Sequence, residues 1–204
     1  MAIALPPLLQ SCYTAEMTAT PDQRRARMTA LCGALILALA FGALLLPEVA
    51  ASSGALIVGE LLLIAGLLEV IAATGRRAAR LPATMAGLVT MAAGAMFLAR
   101  EETRFLPNIT VMTFWLVLRV ALLVAATLQA SGSTVRRWTG IAAATDLALA
   151  AILILGLPLA SIIVALFGTT SDLVASFSWI LALSFLATGA MMLQIAMCER
   201  EGAD

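Results

Sequence analysis

The sequence contains no histidine and no lysine, so every basic residue is an arginine. Without histidine the commonest general base and a leading metal ligand are missing. The three cysteines, Cys12, Cys32 and Cys198, are scattered with no CxxC spacing, which argues against a zinc site or a disulfide framework. They read as small apolar fillers. Neither HExxH nor GxSxG occurs, so no hydrolase motif is present and no cofactor is implied. Basic and acidic residues number 12 each and the formal charge is zero, which removes the electrostatic case for nucleic acid. Charge is scarce altogether: 12% of the residues are charged against 62% hydrophobic, with a mean hydropathy of +1.04. That is too little polar surface to cover a soluble globule of 204 residues, so lipid must be the solvent for most of the chain.

What the sequence does have is long apolar runs. A spanning helix needs about 20 mostly apolar residues. Six such segments fit, over residues 29–47, 53–74, 81–99, 108–130, 139–157 and 173–197. The expected organisation is an N-terminal extension over 1–28, a transmembrane domain over 29–198 and a short tail over 199–204, with no room for a soluble domain. Leu9-Gln10-Ser11-Cys12 has a lipoprotein-like look, but no basic stretch precedes it and Pro6-Pro7 interrupts the apolar run. Residues 1–16 read instead as a disordered extension, or as upstream of the true start at Met17.

The segments share a grammar. Gly33, Gly87 and Gly140 stand near the starts of three helices at spacings of 54 and 53 residues, which is an internal period. Phe41-Gly42-Ala43-Leu44-Leu45-Leu46 is echoed by Ala93-Gly94-Ala95-Met96-Phe97-Leu98. Ile64-Ala65-Gly66-Leu67-Leu68 is echoed by Ala187-Thr188-Gly189-Ala190-Met191. The fold expected is therefore all-α, six transmembrane helices arranged as three two-helix repeats. Each repeat holds an even number of spans, so the three are parallel rather than inverted. Small residues at Ala38 and Gly42, and at Ala83 and Gly87, are expected to let helices approach closely. Pro47-Glu48 is expected to end the first helix.

Arginines 24, 25, 27, 76, 77, 80, 136, 137 and 200 fall on one side of this topology, against Arg100 and Arg104 on the other. The positive-inside rule then places both termini in the cytoplasm of a multi-pass inner-membrane protein, with Glu48, Arg100 to Arg104 and Asp172 outside. Trp138 suits an interfacial anchor, whereas Trp115 and Trp179 lie deeper, as packing residues.

These landmarks, Gly33, Gly42, Pro47 and Gly66, then Gly87 and Gly94, then Gly140, Pro158 and Gly189, resemble the HdeD-type acid-resistance family of small bacterial membrane proteins, over about residues 28–198. The resemblance implies a non-enzymatic protein of envelope stress or acid resistance. Its partners would be the bilayer and either a second copy or a membrane or periplasmic protein. It carries over no catalytic residue. The third unit departs from the pattern: Pro158 and Gly189 are 31 residues apart, against 19 for Pro47 and Gly66. The extra residues, 161–172, read as a short interfacial or re-entrant helix and a capping turn. In the second unit Arg119 stands near where the other two have glycine.

Ionisable groups at membrane depth cost about 2.5 to 3.5 kcal/mol each on insertion scales and are functional candidates by default. Four qualify: Glu60, Glu69, Arg119 and Asp146. Glu69, near the cytoplasmic end of its helix, reads as an interfacial ion pair with Arg76 and Arg77. Glu60 and Glu69 are nine apart, hence on opposite faces of one helix. Arg119, at mid-helix, needs a partner or water. Depth counted from the outer helix ends favours Glu60 as its first partner and Asp146 as its second, in an ion pair or along a solute or proton path. The alternative function to stress resistance is thus a small transporter or proton-linked channel using Arg119, Glu60 and Asp146.

Overall fold

The structure, a computed structural model, describes residues 21–49, 54–76, 79–99, 105–155 and 173–201. These form six helices: α1 (Pro21–Val49), α2 (Gly54–Gly75), α3 (Arg80–Leu98), α4 (Phe105–Gln129), α5 (Ser133–Ile154) and α6 (Leu173–Glu201). All six contain a stretch long and apolar enough to cross a membrane. The described residues thus form an all-helical bundle whose six candidate spans are those of a multi-pass membrane protein. Residues 161–172, with Arg77, Arg100, Arg104 and Asp172, lie outside the described residues.

Helix ends differ from the sequence reading where propensity continues past the apolar run. α1 starts at Pro21, eight residues before the apolar segment, so Arg24, Arg25 and Arg27 are helical rather than part of an extension. Proline is well placed there, because the first turn of a helix does not use its N–H groups. The same holds for Pro82 and Pro107, each the third residue of its helix. α1 ends at Val49, one residue past the Pro47-Glu48 pair expected to close it. α6 continues to Glu201, which makes part of the expected tail helical.

The helices form a ring in chain order, closed by α1 against α6, and close and looser neighbours alternate around it. α2 with α3, α4 with α5, and α6 with α1 are the close pairs. The first two are joined by short connections at the end of the bundle that also holds Pro21 and Glu201, here called the terminal end. Short connections make antiparallel neighbours. Arg136 secures one of them, its Nη2 donating to the Ala130 carbonyl at 3.1 Å.

Glycine sets the distance in two close pairs. A Cβ built on Gly66 would lie 2.6 Å from the Met91 nitrogen and 2.7 Å from the Gly87 oxygen, and one on Gly94 would lie 2.7 Å from the Gly59 oxygen. Between α1 and α6, a Cβ on Gly189 would meet the Gly33 oxygen at 2.9 Å. Only a residue without a Cβ permits these backbone approaches. Ala83 and Gly87 are buried in such a seam, against α2. Ala38 and Gly42 are not: both are exposed, and nothing lies within 4 Å of a Cβ on Gly42.

The outward surface is a belt of large apolar side chains, among them Leu31, Phe41, Leu45, Leu81, Phe114 and Leu128, each more than 60% exposed. On a soluble protein such a belt would drive association; in lipid it is the solvated surface. The interior differs between its halves. Away from the terminal end it holds bulky groups, Phe97, Met112, Trp115, Leu116, Ile180 and Phe185. Toward the terminal end alanines such as Ala72, Ala86, Ala126 and Ala142 are buried together with Leu123, Met192 and Ile195, and Thr29, Thr139 and Arg76 are also buried.

Candidate functional site

Each helix turns one stripe inward, and the polar residues of the interior sit on those stripes. On α2 the buried positions include Val58, Leu62, Ala65, Glu69 and Ala72, at the three- and four-residue spacing of one helical face. Glu69 belongs to that stripe. Glu60, half a turn out of phase, is exposed on the outer face with Leu56, Ile64 and Leu67. On α4 the stripe is Met112, Trp115, Arg119, Leu123 and Ala126, and on α5 it is Thr139, Ala142, Asp146 and Leu149. Three charged groups thus meet between α2, α4 and α5.

Arg119 is the centre, with no exposed surface. Its Nε donates to Asp146 Oδ2 at 2.8 Å. Its Nη1 donates to Glu69 Oε2 at 2.8 Å and to Thr90 Oγ1 at 2.8 Å, and its Nη2 donates to Thr188 Oγ1 at 2.6 Å. Four of the five N–H groups of a guanidinium are used, and they reach four other helices. Among the described residues α1 contributes no polar side chain to this network; its inner stripe is apolar here, with Ile36 fully buried.

The surrounding hydroxyls complete the network. Thr90 Oγ1 accepts from Arg119 and, at 3.1 Å, from the Trp115 indole N–H, and donates to the Ala86 carbonyl, so its bonding capacity is full. Ser184 donates to Asp146 Oδ1 at 2.7 Å, and Thr188 donates to the Ser184 carbonyl. The Arg119 guanidinium also lies 5.7 Å from the Trp115 ring centre, one turn back along α4. This follows from the lean of helical side chains toward the helix N-terminus.

The same lean explains the choice of partner. α2 and α4 run in the same direction, from the far end to the terminal end, and α5 runs back. At about 1.5 Å per residue, Glu69, Arg119 and Asp146 lie roughly 9, 15 and 20 Å from the terminal ends of their helices. Glu69 leans away from the terminal end and Asp146 toward it, so both converge on Arg119. The sequence reading gave Arg119 to Glu60 first, and this is corrected: Glu69 takes that place, with Asp146 beside it. Nor is Glu69 paired at the interface with Arg76, since its ion pair is with Arg119 at 2.7 Å. Arg76 is itself buried at the end of α2; burial pushes its guanidinium below the ordinary value, and Glu69 and Glu199 oppose that shift.

One oxygen stands apart. Glu69 Oε1 is 2.7 Å from Arg119 Nη1, yet both Nη1 hydrogens go to Glu69 Oε2 and Thr90, so Oε1 is buried in ionic contact without a hydrogen bond. The cluster also holds two acids to one base. Sequence reasoning named the three charged residues but missed Thr90, Ser184 and Thr188, whose only signal was their position on the inner stripes.

Among the described residues no group of three or more His, Cys, Asp or Glu side chains is placed to hold a metal ion. Neither Cys32 nor Cys198 is in a disulfide. Comparison with protein-family models, with curated proteins and with solved structures gave no match.

Proposed function

We propose that this is a non-enzymatic, multi-pass protein of the bacterial inner membrane, HdeD-like in its glycine and proline landmarks, that acts in envelope stress or acid resistance. The observation that carries the reading is the Glu69–Arg119–Asp146 cluster, a titratable network with one acid in excess, closed off in the middle of an apolar bundle. Such an interior changes its charge only by exchanging a proton or by opening. Nine arginines toward the terminal end favour a cytoplasmic location for that end and both termini. The repeat reading draws support from the matched glycine contacts, Gly33 with Gly189 and Gly87 with Gly66. The test is survival: a deletion strain should die faster than its parent in acid, and plasmid-borne wild type should restore it. A deletion strain indistinguishable from its parent under acid and other envelope stresses overturns the reading.

The alternative, a proton-linked channel or small transporter, would use Arg119 and Asp146 with Glu69, because Glu60 faces outward. The observation favouring it is that the cluster spans five of the six helices, so any opening of the ring would pull on it. Purified protein in liposomes that passes neither protons nor solutes at any pH tested would remove this alternative.

A further inference from the structure

The directly bonded cluster of Glu69, Arg119 and Asp146 has formal charges of −1, +1 and −1, one surplus negative charge that Arg76, two turns from Glu69, meets only at longer range. A net buried charge is costly in a medium of low dielectric, whereas a cluster that keeps one proton is neutral. The geometry says which carboxyl keeps it. Both Asp146 oxygens accept a hydrogen bond, Oδ1 from Ser184 and Oδ2 from Arg119 Nε, and such bonds favour the carboxylate. Glu69 shares a single guanidinium nitrogen with Thr90, and its Oε1 accepts no hydrogen bond. We propose that Glu69 carries the one exchangeable proton of the cluster on Oε1 and exchanges it with the terminal end of the bundle.

The direction comes from the two halves of the interior. Away from the terminal end the cluster is closed by Leu62, Met112, Trp115, Leu116 and Phe185, all buried. Toward the terminal end Leu123, Met192 and Ile195 are also buried, but among the described residues this half alone holds a further buried charged group: Arg76, two turns beyond Glu69 on its own stripe, with Thr29 and Thr139. The charged groups that face Glu69 are Arg119 from α4, Asp146 from α5 and Arg76 at the end of its own helix. At the terminal end, α6 adds Glu199, which acts on Arg76, and α1 and α3 add the exposed Arg25 and Arg80. In the exchange the O–H bond at Glu69 Oε1 breaks, the proton passes to water entering from the terminal end, and the cluster goes from neutral to −1 with Arg119 still paired. The inference deepens the proposed function by naming the group through which acidity would be sensed, and it rests on that reading for the cytoplasmic identity of the terminal end.

The test is infrared difference spectroscopy on full-length protein in proteoliposomes of defined orientation. At neutral pH the wild type should show the carbonyl stretch of one protonated carboxylic acid shielded from water. Carboxyl 13C labelling of glutamate should shift that band, and labelling of aspartate should leave it in place, with no mutation needed. Glu69→Gln should abolish the band and Glu60→Gln should keep it; Asp146→Asn leaves Glu69 and Arg119 as a neutral pair and should also weaken it, so the isotope labels assign the proton. A step to alkaline pH on the terminal side alone should remove it. A band that shifts with aspartate label, vanishes in Glu60→Gln, responds only to the far side or is absent from the wild type overturns the proposal. These spectra do not depend on acid survival: a deletion strain without a phenotype would sink the stress function and leave the proton on Glu69, and the reverse holds as well.

Discussion

The α2–α3 seam and the contacts of α4 solve the same problem by opposite means. Lipid tails are as apolar as leucine side chains, so helices in a bilayer gain nothing by hiding apolar surface from each other. The α2–α3 seam relies on close approach, with Gly66 against Gly87 and Gly59 against Gly94 bringing the two backbones together. In the α4–α5 pair the corresponding glycine, Gly140, faces only a Thr127 methyl, 3.7 Å from where its Cβ would be. That seam leaves room, and α4 is held instead by Arg119, bonded to α2, α3, α5 and α6. Where glycine is lacking, charge makes the join. The exchange carries a risk that glycine does not, because a charge left without its partner in lipid is worse than none.

The largest expected effect follows from that risk. Arg119→Ala strands Glu69 and Asp146 together in the interior, and breaking a buried pair costs about 3 to 5 kcal/mol. Thermal unfolding in detergent should therefore show Arg119→Ala as the least stable single variant. Removing the acids as well, in Arg119→Leu with Glu69→Gln and Asp146→Asn, should recover part of the loss. Strictly additive losses would mean that the three groups do not act as a unit.

Glycine substitutions should come next, and they should separate the seams. In Gly66→Ala the new methyl meets backbone atoms at 2.6 and 2.7 Å, so the helices must move apart. Overpacking of this kind costs about 1 to 3 kcal/mol. Gly140→Ala finds ordinary contact distance and gains helix propensity, worth up to about 1 kcal/mol, so it should be neutral or stabilising. Equal losses in the two variants would erase the distinction between close-approach and charged seams.

The six spans were legible because the bilayer demands about 20 apolar residues per helix, a signal that neighbours do not alter. The three charged members of the cluster were legible because ionisable residues are rare in such spans. Their pairing was misread because depth was weighed above face. The spacing of Val58, Leu62, Ala65 and Ala72 already puts Glu69 on the buried stripe of α2 and Glu60 off it. Which stripe faces inward on α1 was harder, since Cys32, Ile36 and Ala40 differ little in polarity from the exposed Leu31, Leu35 and Ala38. A helix apolar all round gives no moment to read. That is why Ala38 and Gly42 were expected at a seam and lie outside it. The threonines and the serine of the network escaped because a hydroxyl in a spanning helix can bond its own backbone, as Thr90 does with Ala86, and so carries no mark of a distant partner.

The smallest expected effect concerns Glu60, and it sharpens the contrast between the two acids of α2. Glu60 lies one to two turns from the far end of its helix, on the outer stripe with Leu56, Ile64 and Leu67. Its side chain leans toward that end, so the carboxylate can reach the interfacial region by extending. Nothing in the interior depends on it. Glu60→Gln should therefore change stability by no more than about 0.5 kcal/mol, the range of surface substitutions. Glu69→Gln changes a buried group that is hydrogen-bonded to a fully buried arginine and should be felt more strongly. Measured together in detergent, the two variants rank the inner acid above the outer one. A loss in Glu60→Gln as large as in Glu69→Gln would break that ranking and would mean that Glu60 meets a partner beyond this chain. The measurement that decides between those outcomes is the dependence of the Glu60→Gln loss on protein concentration: a contact between copies weakens on dilution, whereas a contact within one bundle does not.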